Sequence, residues 1–180
     1  MPIDSARIGF RPVTAADLPL LAEWMEAPHW RKWWGDPQIE LGRIREMIEG
    51  RDTTEPYLFT LDGRDTGYIQ LWYLADNRAP EIVADSPWLA ELPEETVGLD
   101  LSIGEAGDLS RGLGTAALTN FVAGLRRRGF ERIIIDPDPA NGRACRAYEK
   151  AGFRPVERLL GRSGDALVME HVAGTEEGCA

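Results

Sequence analysis

The spacing of apolar residues changes repeatedly along the chain, and each change marks a new element. Residues 7–12, RIGFRP, read as a first strand. Over 14–27, Leu18, Leu21, Ala22 and Met25 fall on one face, which predicts an amphipathic helix. Thr14 is placed to cap it, with Asp17 three residues on, and Pro19 fits its first turn. HWRKWWGDP, 29–37, is expected to form an aromatic loop. From Gln38 the spacing turns helical again through Leu41, Ile44 and Ile48, with Gly50 as the stop. YLFTL and GYIQLWYL then bracket an Asp62-Gly63 turn, the signature of a hairpin.

Residues 75–95 break the pattern. They hold three prolines, many acids and a single Arg, and predict a long acidic excursion with a short helical turn. TVGLDLSI, 96–103, alternates as a strand. Leu113, Ala117, Phe121 and Leu125 predict a helix. RIIID, 132–136, is apolar throughout, as a parallel strand covered on both faces would be. A helix is expected over 137–152, with Pro139 in its first turn and Gly152 past its end. Residues 153–160 and 166–172 complete a strand pair around GRSGD. The order predicts one α/β (α+β) domain over 1–173, a mixed, mostly antiparallel sheet flanked by helices, with 174–180 as a tail.

Composition narrows the partners. The chain has 180 residues, 43% hydrophobic and 28% charged, with a net charge of −10. That charge disfavours nucleic acid and anionic membranes and favours a cationic partner. No apolar run approaches the ~20 residues of a membrane span. The first ten residues lack the basic and apolar regions of a signal peptide. Cys145 and Cys179 have no metal-ligand spacing, no metal cluster is expected, and a reducing cytoplasm fits.

Candidate chemistry begins at DLSRGLGTAAL, residues 108–118. At a helix start several N–H groups lack partners, and their dipole favours an anion. Gly112 and Gly114 remove side chains that would hold a phosphate away. Strand, Arg111, Gly112-x-Gly114 and helix therefore make a candidate pyrophosphate cradle, with Arg111 as rim charge. The dinucleotide fingerprint has a third glycine where 117 is alanine and a loop early in the chain where this one is late, and the Gly-Lys-Ser/Thr of the triphosphate loop is absent.

SRGLGTAAL followed by DPANGRACRAYEKAGF resembles the acetyl-CoA signature of the GNAT N-acetyltransferase superfamily. Leu109 departs from the Gln/Arg usual at the head of that loop. The resemblance implies a GNAT-like fold and acetyl-CoA as cosubstrate. It implies that the amides of Leu109, Ser110, Arg111, Gly112, Leu113, Gly114 and Thr115 hold the pyrophosphate, that Asn141 meets the pantetheine arm, and that Tyr148 points at the CoA sulfur. A hydroxyl there suits a reaction that expels a thiolate.

WRKWWGD, PYLFTLDGRDTGYIQ and ADSPWLAELPEETVGLD further resemble elements of the aminoglycoside 6'-N-acetyltransferases. That family implies a polycationic small amine as partner. Carboxylates and flat apolar faces suit such a molecule. The candidates are Asp85, Asp100 and Asp136, with Trp34 and Trp88 as faces. Of Trp33 and Trp34, one is expected to pack inward and the other to face the cleft. Asp100 is the expected general base for direct attack in a ternary complex. A backbone N–H near Ser102 or Ile103 would polarise the carbonyl. No acyl-cysteine at Cys145 is expected. Three other readings stay open: a siderophore or hydroxylysine acyltransferase, a non-catalytic acetyl-CoA sensor, and a protein or lysine acetyltransferase. The choice between monomer and homodimer also stays open.

Overall fold

The computed structural model describes residues 3–172. Seven strands form one sheet in the order β1-β2-β3-β4-β5-β7-β6. They are β1 (Ile8–Pro12), β2 (Glu55–Leu61), β3 (Arg64–Tyr73), β4 (Val97–Ile103), β5 (Ile133–Ile135), β6 (Phe153–Pro155) and β7 (Met169–His171). Every neighbouring pair is antiparallel except β4 and β5. Six α-helices cover it: α1 (Leu18–Met25), α2 (Pro28–Trp34), α3 (Pro37–Ile48), α4 (Pro80–Asp85), α5 (Leu113–Arg127) and α6 (Gly142–Lys150). Cys179 and the expected tail 174–180 lie outside the described residues.

Alternation along the central strands supplies two cores. Phe59 and Ile69 join Leu99, Leu118 and Phe121 beneath α5, while Leu58 and Tyr68 face Leu21, Trp30 and Ile44 of α1–α3. Burial of both faces explains the uninterrupted apolar run in β5.

Three expectations are corrected. The aromatic stretch is not a loop but α2, begun by Pro28 and ended by Gly35 at φ +90°. Trp30 turns inward and its Nε1–H donates to the Ile103 carbonyl at 2.8 Å, so the helix is made by what it buries. The helix expected from 137 begins only at Gly142. Asn141 caps it, its Oδ1 accepting from the Ala144 N–H at 3.2 Å, and Pro139 lies in the turn before. The last strand pair is shorter than expected, because the chain leaves β6 at Pro155 for a 3-10 turn (Glu157–Leu159) that buries Leu159.

Residues 75–95 do carry helical turns, including α4. Trp88, Leu89 and Leu92 anchor the segment in a third apolar cluster with Leu74, Ile134 and Leu159. Arg78 and Arg158 donate to carbonyls of this segment, and Arg162 donates to the Glu91 carboxylate at 2.8 Å.

Candidate active site

The site exists because β4 and β5 part. Their parallel ladder has three rungs, ending at Leu99↔Ile135, yet β4 runs on to Ile103. Val97 donates across the ladder to Arg132, while Gly104, just past β4, donates to Thr66 of β3. By that alternation the N–H groups of Leu101 and Ile103 face the gap, and that of Ser102 faces β3. Of the two amides expected to polarise a carbonyl, that of Ile103 therefore faces the gap and that of Ser102 does not.

On one side of the gap lies a cleft of about 310 Å³. Leu109, Ser110, Gly112, Leu113, Gly114 and Thr115 line one wall, with Asn141 and Tyr148 opposite. Gly112 stands at φ +86° as the cap of α5, where a Cβ would meet nothing within 4 Å. No side chain caps α5, and its first bond runs from Ala116 to the Gly112 carbonyl. Among the described residues the six N–H groups from Ser110 to Thr115 donate to no protein acceptor. That bare stretch fits an anion, and the positive end of α5 favours one.

Arg111 does not line this cleft. It is exposed and pairs with Asp108, which Arg64 holds from its other side, so it braces the loop from outside. Cationic lining comes instead from Arg143, Arg146 and Lys150 on α6. Their i, i+3, i+7 spacing, a basic stripe in an acidic chain, was the signal for them. His29 also lines the cleft, and its Nε2–H donates to the Ile103 carbonyl at 2.9 Å.

Tyr148 is 7% exposed, and burial pushes its hydroxyl up from the ordinary range, with the Asp100 charge adding to it. It remains a proton donor at any working pH. Cys145 is a buried thiol on the same helix, raised by burial, and does not line the cleft.

Beyond the gap lies a second cavity of about 290 Å³. Asp100 and Asp136 are the residues just past the last rung, so they stand side by side on one face of the sheet. Burial pushes Asp100 up to about 6, against the hydrogen bond from Gln70, and the Glu40 charge adds to the rise. Burial pushes Asp136 well above the carboxylate range, with the Asp100 charge second. Gln70 Nε2 donates to Asp100 Oδ2 at 2.8 Å, and the Tyr68 hydroxyl donates to Gln70 Oε1 at 2.7 Å.

The remaining expected residues divide. Trp88 lines this second cavity but is 5% exposed and mostly core. Trp34 lines the first cavity, edge-on to Tyr68, so it is not a wall of the second. Trp33 lines the first cavity too, and the inward-packed tryptophan is Trp30. Asp85 ends α4 exposed and lines neither cavity. Gln70, Trp72, Thr54, Asn77 and Ser86, which sequence patterning passed over, line the second cavity.

Residues 13–159 match the family described as Acetyltransferase (GNAT) domain. An aminoglycoside N(6')-acetyltransferase type 1 of Klebsiella pneumoniae is 30% identical over 169 residues, 90% of this chain and 81% of that protein. The lysine N-acyltransferase MbtK of Mycobacterium tuberculosis is 27% identical over 81% of this chain and 68% of its own length. Among solved structures, AAC(6')-Ib in complex with paromomycin and acetyl-CoA superposes with a TM-score of 0.76 at 28% identity, over 96% of this chain and 99% of that one. The parted strands, the uncapped glycine loop and the overall architecture thus have one common explanation: the chain belongs to the GNAT acetyltransferase family.

Proposed function

We propose that this acetyltransferase moves the acetyl group of acetyl-CoA to the 6'-amine of an aminoglycoside, by direct attack in a ternary complex. One observation carries the reading: two half-buried carboxylates, Asp100 and Asp136, stand together where β4 and β5 part and line one cavity. A net charge of −10 steers a polycation towards them. The likeness to the Klebsiella pneumoniae enzyme over most of both chains supports the same acceptor.

The residues present fit the cosubstrate, which supplies the acyl group as a thioester. The free N–H groups from Ser110 to Thr115 would hold its diphosphate, with Arg143, Arg146 and Lys150 along the cleft adding positive charge. Asn141 stands on the same wall as Tyr148 to meet the arm between. Asp100 takes a proton from the incoming ammonium, leaving the amine lone pair free to attack. A value of about 6 leaves it ionised at neutral pH and still basic enough to accept. The N–H groups of Leu101 and Ile103 receive the negative charge that develops on the carbonyl oxygen. Tyr148 delivers its proton to the departing sulfur. Asp136, which burial and the Asp100 charge keep protonated in the free site, gives up that proton as a second ammonium of the acceptor comes beside it and then holds that charge.

The likeness to a lysine N-acyltransferase supports a second reading, acylation of a linear ω-amine. The acceptor cavity contains no histidine among its lining residues, since His29 belongs to the cosubstrate cleft. Thiol release from acetyl-CoA across aminoglycosides, including analogues lacking the 6'-amine, tests the proposal. Release that requires that amine is expected. Release with every analogue removes the regiochemical assignment.

A further inference from the structure

The second cavity has a flat wall. Trp72 of β3 pairs directly with Gly98 of β4. A Cβ on Gly98 would lie 2.0 Å from Trp72 Cε2 and Cζ2, so the indole rests on the bare glycine backbone and lies flat along the sheet. Any larger residue at 98 would lift it. Two residues along each strand, on the same face, stand Gln70 and Asp100. The ring therefore shares one sheet face and one cavity with the carboxylate that takes the proton. It is half-buried, lines the cavity, and its Nε1–H has no acceptor among the described residues.

The rest of the lining complements such a face. Thr54, Asn77 and Ser86 supply neutral hydroxyl and amide groups. A linear alkyl amine offers these nothing to bond and has no face to lay on an indole. A saturated sugar ring has one face of C–H groups and a rim of hydroxyls, and an amine beside that ring carries a positive charge that the indole π-system attracts. The volume of about 290 Å³ accommodates one such ring and leaves further rings outside.

We propose that Trp72, laid flat on Gly98, makes the acceptor cavity selective for an amine carried on a saturated sugar ring over an amine at the end of a linear chain. The inference rests on the reading of the Asp100 cavity as the amine site. It adds a specificity-determining residue that takes no part in proton transfer.

The test uses two acceptors, kanamycin and the linear diamine cadaverine, with acetyl-CoA and the full chain. Trp72→Leu keeps apolar bulk but removes the flat face. Its KM for kanamycin is expected to rise about tenfold with kcat nearly unchanged, while the value for cadaverine, already poor, stays where it is. Trp72→Phe restores a ring and is expected to recover most of the loss. Gly98→Ala, which displaces the indole without touching it chemically, is expected to mimic Trp72→Leu. Thermal melts identify a variant that has failed to fold. Direct kanamycin binding by calorimetry on parent and Trp72→Phe then supplies the comparison. Equal losses for both acceptors in Trp72→Leu, or no loss for kanamycin, overturns the role of Trp72 and leaves the aminoglycoside reading standing. A parent protein that acetylates only cadaverine, or neither binds nor acetylates kanamycin, overturns both.

Discussion

Gln70 donates its side-chain amide to Asp100 at 2.8 Å, and its orientation is fixed from behind. Its Oε1 accepts from the hydroxyl of Tyr68, a wholly buried residue whose other near polar neighbour is the Met47 sulfur at 3.8 Å. Facing an ionised Asp100, Gln70 must present its N–H groups, because a carbonyl oxygen there would repel the carboxylate. Tyr68 removes the alternative by occupying Oε1.

The acid limb of kcat/KM should report this chain. Asp100 is faced by Gln70, Asp136, Glu40 and Tyr148, and among these Gln70 holds its value down. Gln70→Leu should move the acid limb upward by about one pH unit, since a hydrogen bond to a charged group contributes roughly 1.5–3 kcal/mol. Tyr68→Phe should move it the same way by about half as much. In the Gln70→Leu background Tyr68→Phe should add nothing. Additive shifts in the double variant would break the chain of donors.

Asp100→Asn should separate activity from stability. Turnover is expected to fall by a factor of 10² or more while acetyl-CoA affinity holds. Stability should move the other way. The folded protein holds the Asp100 proton more tightly than the unfolded chain does, with a value of about 6 against 3.8. Between about pH 4 and 6 the native state therefore binds more protons, and stability falls as pH rises through that window. Above pH 6 the ionised carboxylate costs of the order of 2–3 kcal/mol, which Asn does not incur. Melting curves should show the variant more stable than the parent at pH 8, with the gap closing towards pH 4. A gap that widens on acidification would mean that Asp100 is held ionised in the fold.

How much of this was legible depended on where the information lay. Gly112 and Gly114 stand out in sequence because a backbone function leaves a compositional mark. Asp136 was legible as the carboxylate ending one predicted strand and Asp100 as one within another, and the short parallel ladder brings them side by side. Trp72 reads in sequence as one more apolar strand position. Its meaning depends on Gly98, which only the β3–β4 register places beneath it. The aromatic stretch hid α2 because the helix has only seven residues, and the i, i+3, i+4 spacing of Trp30, Trp33 and Trp34 is too short to set a period between Pro28 and Gly35. Trp30 is wholly buried, Trp34 packs beside it at the edge of the same core, and Trp33 and Trp34 both reach the cleft. Asp85 shows the limit of an acidic composition, since nothing in the sequence says which acids of residues 75–95 turn inwards.

Tyr148→Phe should slow the chemical step without weakening the fold. The hydroxyl has no partner among the described residues, so its removal costs no protein hydrogen bond, and the ring remains buried beside α5. The melting temperature should stay within a degree or two of the parent. Turnover should fall by roughly 10²-fold, as expected when a thiolate must leave without a proton. A fall confined to acetyl-CoA affinity, measured by calorimetry, would make Tyr148 a packing residue.

The two loop glycines should respond in opposite ways to alanine. Gly112 sits at φ +86°, a conformation that costs an L-residue roughly 1–2 kcal/mol, although space lies open in front of it. Gly112→Ala should lower stability by about that amount and disturb the free N–H groups together. Gly114 is different. It lies in the first turn of α5 with no positive φ, and a Cβ there would rest 3.5 Å from Leu101 Cδ2, an ordinary contact. Judged as a helix position alone, alanine is better than glycine by about 0.5–1 kcal/mol. Gly114 leaves the cleft wall bare beside Leu101 and Ile103. Gly114→Ala should therefore raise the melting temperature and weaken acetyl-CoA binding by about tenfold. If that variant binds acetyl-CoA as tightly as the parent, bare backbone at 114 serves no ligand, and the diphosphate rests on the amides around Gly112 alone.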